Sequence, residues 1–291
     1  MEKQDDFRDR YPKATRVEYS LLTGGGDNPM MITGKKVISL ILAIIIFVNF
    51  CPYTNADFLQ KIQCFTEFIQ SVADEIKRTI EEAETTIDEI PEDWFDDAIF
   101  IGDSQTGALS IYTLVNGGLG NALIFHVNGL ASHNIVMEGT RISFKGRTCT
   151  LGEVISLSGA NKAFLMLAMN DVGTMPIKDL ESCWKELLED IRETAPDADI
   201  YIQSGTPISI NTNSAWITKE NTEKYNRMLE RFCLENDCIY VNINKGLTDE
   251  SGFLKQQYCR DNLHLNNDGC AVWVANLKDP KSYMPSYIQK G

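Results

Sequence analysis

The sequence predicts a three-layer α/β/α domain built on a five-stranded parallel sheet, preceded by a single transmembrane helix and a helical stalk. Two observations carry the α/β assignment. Short apolar runs recur from residue 98 onward, and amphipathic helical patterns separate most of them. Strands that alternate with helices form parallel sheets, because each connection must cross a face of the sheet. Five strands favour a doubly wound, flavodoxin-like order.

The first element is an apolar segment at residues 37–50, which follows Lys35 and Lys36 and ends before Pro52. A bilayer core needs about 20 residues, so the segment is short for a span. A signal peptide is one alternative, although its basic region is normally far shorter than the 36 residues that precede this segment. A buried core helix is another. No small-residue cleavage site follows, which favours an uncleaved transmembrane anchor over residues 35–52.

The distribution of basic residues predicts the orientation of this anchor. Residues 1–36 carry seven Lys and Arg residues, and residues 37–78 carry three. Because loops rich in Lys and Arg stay on the cytoplasmic side, residues 1–34 should form a cytoplasmic tail. We therefore expect a single-pass protein of the cell membrane whose large domain is extracellular.

The pattern of residues 54–90 predicts a helical stalk. Their apolar positions alternate by four and three residues, which is the heptad pattern of a coiled coil. The seam comprises Phe58, Ile62, Phe65, Ile69, Val72, Ile76, Thr79 and Ala83, and Thr79 alone is polar. A stalk that forms a homodimer and a single amphipathic helix both fit this pattern.

Pro91 ends the stalk, and the domain at 92–291 follows. Its predicted strands are 98–101, 122–126, 163–167, 199–203 and 239–242. Its clearest predicted helices are 177–194, 218–234 and 267–277.

Charge and cysteine content exclude some partners. The net charge is −14 and no basic patch marks the C-terminal two-thirds, so nucleic acid is not an expected partner. Seven of the eight cysteines lie beyond the anchor, and outside the cell these could form disulfides. Cys233 and Cys238 could equally be buried on a helix and a strand. None of the cysteines has C-x-x-C spacing with nearby histidines, so no zinc site is predicted.

Polar residues follow three of the predicted strands. Ser104 comes just after the first strand, Gly129 after the second and Asn170 after the third. Ligands of open parallel sheets bind beyond the carboxyl ends of the strands. We therefore expect these residues to meet at one edge of the sheet.

A serine nucleophile needs a base within hydrogen-bond reach, and the chain has only three histidines. Asp261 precedes His264 by three residues, a spacing that lets the carboxylate orient the imidazole. His126 falls inside an apolar strand, where a structural role is expected, and His133 could line the cleft. No G-x-S-x-G pattern surrounds any serine.

These residues resemble the four sequence blocks of the SGNH/GDSL hydrolase superfamily. The blocks are Gly102-Asp103-Ser104, Gly129, Asn170-Asp171 and Asp261-x-x-His264, in the family's order, over residues 96–278. The resemblance implies that Ser104 is the nucleophile, His264 its base and Asp261 the residue that orients the base. It also implies an oxyanion hole formed by the amides of Ser104 and Gly129 and the side chain of Asn170.

The sequence departs from the family pattern at two positions. Ala168 replaces the usual glycine of the third block, and Gln105 replaces the usual leucine after the nucleophile. Neither change removes a catalytic group. Gly117, Gly118 and Gly120 are alternatives for the glycine of the second block.

The resemblance implies a serine esterase that needs no metal or organic cofactor. An exported domain on a stalk would meet extracellular glycans, so an O-acetylated carbohydrate or other acylated small molecule is the expected substrate. Two alternatives stay open: an O-acyltransferase that passes the acyl group to a sugar, and a non-catalytic glycan-binding or assembly protein.

Overall fold

The computed structural model describes residues 89–285, together with Gln70 and Asp74. Gln70 and Asp74 are helical and exposed, and Gln70 Nε2 donates a hydrogen bond of 3.0 Å to Asp74 Oδ1. The predicted tail, the anchor and the rest of the stalk lie outside the described residues. Within the described part of the chain, no helix has the length and apolar character to cross a bilayer. One compact unit begins at Glu89.

The main sheet has five parallel strands, as the sequence predicts. They are β1 (Ala98–Gly102), β2 (Leu123–His126), β5 (Lys162–Met166), β6 (Asp199–Gln203) and β7 (Ile239–Val241). Their spatial order is β2-β1-β5-β6-β7, the doubly wound order predicted for five strands. Gly102 at the end of β1 pairs with His126 on β2 and Met166 on β5. The carboxyl ends of these three strands are therefore level.

Seven α-helices lie in residues 89–285. They are α1 (Ser104–Asn116), α2 (Ser132–Met137), α3 (Leu151–Ser158), α4 (Ala168–Asp171), α5 (Ile177–Thr194), α6 (Lys219–Glu235) and α7 (Asn267–Lys278). The three predicted helices are confirmed to within a residue at each end. Thr218, predicted as the first residue of a helix, is instead the N-cap of α6. Its side chain accepts a hydrogen bond from the backbone N–H of Asn221.

The central strands β1, β5 and β6 are buried on both faces, which explains why they appear in the sequence as continuous apolar runs. Alternate residues such as Ile101, Leu165 and Ile202 join a core with Trp184 of α5 and Phe232 of α6. The residues between them build an aromatic stack on the other face. Phe164 lies between Phe100 and Tyr201, with ring centroids 4.4 Å apart on each side.

The sequence prediction missed a small antiparallel hairpin. Strand β3 (Ile142–Phe144) pairs with β4 (Arg147–Cys149). Lys145 and Gly146 form its turn with φ angles of 47° and 76°, and two successive positive φ angles define a type I′ turn. Three residues per strand are too few for periodicity to reveal.

The six cysteines of the described residues are free and buried. Cys233 lies on α6 and Cys238 directly precedes β7. Burial raises the pKa of the Cys238 thiol to about 12 and that of Cys233 well above its ordinary value. The arrangement matches the alternative in which these two cysteines are packed on a helix and next to a strand.

Candidate active site

The turn from β1 into α1 places Ser104 at the carboxyl edge of the sheet. Gly102 ends the strand, and a Cβ there would lie 2.2 Å from Thr106 Oγ1 and 2.5 Å from the Met166 carbonyl oxygen. Only glycine fits this turn. Asp103 then caps α1 by accepting from the backbone N–H of Gln105 at 2.8 Å. Ser104 is the first helical residue, so its own N–H has no partner within the helix.

His264 and Asp261 lie in a tight loop that we call the catalytic loop, residues 259–265. Cys259 and Leu265 form an antiparallel bridge that closes it. Inside, the Arg260 N–H donates to the His264 carbonyl at 2.8 Å. Asn262 adopts a φ of 71°, a left-handed conformation that asparagine tolerates better than most residues. The short loop brings Asp261 back beside His264.

The structure brings the three predicted catalytic residues together. Ser104 Oγ lies 2.8 Å from His264 Nε2. His264 Nδ1 lies 3.0 Å from each carboxylate oxygen of Asp261. A carboxylate bonded to one ring nitrogen leaves the other free to accept a proton from the hydroxyl. Ser104, His264 and Asp261 therefore have the geometry of a nucleophile, its base and an orienting acid.

Asp261 is held in its ionised form. Partial burial alone would raise its pKa, but hydrogen bonds from the backbone and the imidazole of His264, together with that residue's charge, lower the pKa to about 2. Arg260 Nε adds a contact of 3.2 Å to Asp261 Oδ2. A negative carboxylate beside His264 stabilises the imidazolium that forms when the base takes a proton.

Gly129 lies at the same edge of the sheet, after β2. Leu130 N–H donates to the Val127 carbonyl at 3.0 Å, which closes a four-residue turn with Gly129 at its third position. The φ of Gly129 is 78°, the value that this turn position requires and that glycine adopts without strain. The alternatives Gly117, Gly118 and Gly120 precede β2 and lie at the opposite edge.

Asn170 lies on α4, directly after β5. Its Nδ2 donates to Asp103 Oδ2 at 3.0 Å and to the Leu130 carbonyl at 3.3 Å. The first bond ties the amide to the residue before Ser104. The second bond, to the Leu130 carbonyl, is long for an N–H···O bond. Breaking it costs little free energy, so Nδ2 can donate to a substrate oxygen instead. The side chain is half-buried and positioned to present a donor without charge.

Burial changes the acidity of the residue that holds Asn170. Asp103 is fully buried, and this desolvation raises its pKa to about 7. Hydrogen bonds from the backbone of Gln105, the side chain of Asn170 and the backbone of Met169 oppose the rise without cancelling it. A titratable group thus lies directly before the predicted nucleophile.

The Ala168 departure from the family pattern is accommodated by the fold. Ala168 begins α4 and is not among the residues with positive φ, so the turn does not need glycine there. Space for its methyl group comes from Gly205, where a Cβ would lie 2.7 Å from Ala168 Cβ. The small residue of this contact is therefore Gly205, which leaves room for alanine at position 168.

Sequence reasoning missed a second histidine–aspartate pair. His133 Nδ1 lies 2.8 Å from Asp171 Oδ1. Asp171 is fully buried and also accepts from the Ser132 hydroxyl at 2.6 Å and the Tyr225 hydroxyl at 2.7 Å. These partners are 38 to 54 residues away in sequence, so spacing alone could not reveal them. The network fixes the segment after Gly129 against the helix that carries Asn170.

His126 takes no part in these hydrogen bonds. It ends β2 and packs against α1, where a Cβ on Gly107 would lie 2.9 Å from its ring. Among the described residues, no group of three or more His, Cys, Asp or Glu side chains is arranged to hold a metal ion.

A doubly wound α/β domain with a serine, a histidine and an aspartate at the carboxyl edge of its sheet defines a class of hydrolase. Residues 100–272 match the GDSL-like lipase/acylhydrolase family, and the chain belongs to this family. The predicted resemblance to SGNH/GDSL hydrolases is therefore confirmed. The match covers all four blocks of predicted site residues.

Several solved structures are similar to this domain. A protein described as a platelet activating factor from Streptococcus pneumonia is 17% identical, with a TM-score of 0.50, over 77% of this chain and 98% of that chain. A GDSL-like lipase from Bacteroides thetaiotaomicron is 14% identical, with a TM-score of 0.46, over 74% of this chain and 97% of that chain. An acetylxylan esterase from Geobacillus stearothermophilus is 14% identical, with a TM-score of 0.45, over 62% and 91% respectively. No curated protein matches the sequence significantly.

Proposed function

We propose that the protein is a serine esterase that hydrolyses acyl esters through an acyl-serine intermediate. The observation that carries this proposal is the continuous line of hydrogen bonds from Ser104 through His264 to Asp261, with distances of 2.8 Å and 3.0 Å. This arrangement activates a hydroxyl that is a weak nucleophile by itself.

In the first half-reaction, Ser104 Oγ attacks the ester carbonyl carbon and its proton passes to His264 Nε2. The tetrahedral intermediate collapses, the bond to the alcohol breaks, and the leaving oxygen takes the proton from His264. In the second half-reaction, His264 removes a proton from water, which attacks the acyl-serine. The carboxylic acid leaves, and Ser104 regains its proton from His264.

The oxyanion of each intermediate would be bound by three donors. These are the N–H of Ser104 at the start of α1, the N–H of Gly129 and the Nδ2 group of Asn170. Fixed donors aimed at a developing charge lower the barrier because they need no reorganisation. The positive end of the α1 dipole adds to this stabilisation.

We propose an acylated carbohydrate as the substrate, and an exposed tryptophan in a loop that contacts the catalytic loop supports this choice. Trp216 is 63% exposed, yet its backbone is fixed: its carbonyl accepts from Asn221 Nδ2 at 2.8 Å. It lies in the loop after β6, against Gly173, where a Cβ would lie 2.3 Å from the Trp216 carbonyl oxygen. Gly173 follows Asn170 by three residues. A flat, amphipathic and exposed ring on a fixed backbone offers the apolar face of a sugar a surface to stack on.

The loop of Trp216 also contacts the catalytic loop. Ser209 N–H and Thr212 Oγ1 both donate to the Asn262 carbonyl, at 3.1 Å and 2.6 Å. Replacing Trp216 by alanine should therefore raise KM for acetylated oligosaccharides and leave the hydrolysis of a small acetyl ester unchanged. Leu114→Ala is the matched control, because Leu114 is 87% exposed at the far end of α1. Equal effects on both substrates would remove the argument for a sugar.

The catalytic assignment is tested with purified variants and a small acetyl ester. Ser104→Ala and His264→Ala should each lower kcat by several orders of magnitude, because triad members act as a unit. Asn170→Ala should lower kcat by roughly 10²–10³ with little change in KM. His126→Ala is the control and should retain turnover. Undiminished kcat in Ser104→Ala would exclude the serine mechanism.

Product analysis separates hydrolysis from transfer. With an acetylated donor and a free oligosaccharide present together, an esterase releases acetate, whereas an O-acyltransferase yields newly acetylated sugar. Binding of the sugar with neither product would instead favour a non-catalytic glycan-binding protein.

We further propose that residues 35–52 anchor the protein in the cell membrane with the hydrolase domain outside, and that the stalk at 54–90 forms a homodimer. Protease added to intact cells should then remove the domain from residue 92 onward. A chain that begins near residue 56 should sediment as a larger species than one that begins at residue 92, beyond its added mass. Protection of the domain until cells are opened would reverse the orientation.

A further inference from the structure

The side chain that follows the nucleophile reaches across to the catalytic loop. Gln105 is fully buried. Its Nε2 donates to the Leu263 carbonyl at 2.9 Å, and its Oε1 accepts from the Leu265 N–H at 3.3 Å. Leu263 and Leu265 are the two residues on either side of His264. One side chain thus holds the main chain before and after the predicted base.

The orientation of this amide is determined by its partners. The Leu263 carbonyl can only accept, and the Leu265 N–H can only donate, so nitrogen and oxygen cannot be exchanged. Nε2 also donates to Thr206 Oγ1 at 3.0 Å, and Thr206 is fully buried at the start of the loop after β6. A carboxamide can donate and accept at once, which the leucine usual at this position in the family cannot do.

The bonds that Ser209 N–H and Thr212 Oγ1 donate to the Asn262 carbonyl tie the catalytic loop to the loop after β6 and not to α1, which carries Ser104. Asp261 is 46% exposed, and its bonds to His264 are local, since the two residues are three positions apart. The bonds within this pair therefore do not by themselves set its position relative to α1. Gln105 is adjacent to Ser104 on α1, so its bonds to Leu263 and Leu265 set the position of His264 in the same frame as the nucleophile.

We infer that Gln105 is a positioning residue that holds the His264 imidazole within hydrogen-bond reach of Ser104. The inference rests on the proposed function, because it assigns Gln105 a part in the same reaction. A base displaced by about 1 Å can lower a rate by roughly 10²-fold, and two backbone bonds on either side of His264 restrain it against such a shift.

The test compares Gln105→Met with Gln203→Met in the full chain. Gln203 is equally buried and accepts from Trp273 Nε1 at 2.9 Å, but none of its hydrogen bonds reaches the catalytic loop. Both substitutions remove a buried amide and keep the side-chain volume similar. For a small acetyl ester, Gln105→Met should lower kcat by roughly 10²-fold with KM little changed. Gln203→Met should leave kcat unchanged.

A second measurement does not depend on activity. Backbone hydrogen exchange of residues 259–265 should be faster in Gln105→Met than in the wild type, and unchanged in Gln203→Met. If Gln105→Met does not fold, Thr206→Val serves instead, because it removes one partner that orients the amide; it should lower kcat in the same direction by a smaller factor.

The inference is wrong if Gln105→Met has the kcat of Gln203→Met, or if exchange in the catalytic loop does not change. With Gln105→Met unfolded, unchanged kcat in Thr206→Val would overturn it equally. A wild-type chain that hydrolyses no ester would refute the proposed function instead. The exchange measurement would then still decide whether Gln105 restrains the loop.

Discussion

The buried carboxyl group of Asp103 should make the stability of the fold depend on pH. Its pKa is raised from 3.8 to about 7 by burial, so ionising it in the folded protein costs about 4 kcal/mol more than in the unfolded chain. A group whose pKa is raised on folding stabilises the native state most below its unfolded pKa. That contribution is lost as pH rises from about 3.8 to about 7.

Asp103→Asn isolates this contribution, because asparagine is similar in shape and does not titrate. The variant should be less stable than the wild type at pH 5, because an NH2 group that cannot accept replaces one of the two oxygens that receive bonds from Gln105, Asn170 and Met169. Between pH 5 and pH 8 the difference should move in favour of the variant by roughly 3 kcal/mol.

The assay is urea denaturation of both chains at several pH values, followed by circular dichroism. Taking the difference between the two chains removes the contribution of every other titrating group. A difference that stays constant from pH 5 to pH 8 would refute the reasoning. It would mean that the backbone donors and the N-terminus of α1 keep Asp103 ionised throughout.

Two further predictions concern stability. Gly102→Ala should lower the free energy of unfolding by about 1–3 kcal/mol, because its methyl group would overlap Thr106 Oγ1 and the Met166 carbonyl oxygen; wild-type stability in urea denaturation would contradict the overlap. Tyr225→Phe should cost roughly 1–3 kcal/mol, because it leaves buried Asp171 without one donor and Trp184 Nε1 without its acceptor. A calorimetric scan that shows no fall in melting temperature would exclude that role.

Local sequence patterns were sufficient to predict the sheet. Strands buried on both faces appear as apolar runs, and connecting helices appear as amphipathic periods, because each is decided by neighbours within a few positions. The antiparallel hairpin at residues 142–149 was not predicted, because local patterns carry little information about it. Its three-residue strands carry too little periodicity, and its turn depends on two positive φ angles.

In the candidate site, too, some contacts follow from local spacing and others only from the topology of the sheet. Asp261 and His264 lie three residues apart, so a single turn of chain brings them together. Their spacing in the sequence was therefore enough to predict that they pair. Their proximity to Ser104, 160 residues from His264, was expected only because parallel strands end at one edge of a sheet. The alternation of strands and helices in the sequence predicts a parallel sheet. The topology of that sheet then brings Ser104 and His264 close together.

The sequence by itself determined the class of fold, the edge at which the candidate site forms and the residue types that meet there. Tertiary structure alone decided how those residues are held. Gln105 reaches Leu263 and Leu265, and Gly205 makes room for Ala168. His133 pairs with Asp171 rather than with Ser104. Each of these contacts joins segments far apart in the chain and depends on distances of a few ångströms, which packing sets and no local pattern records.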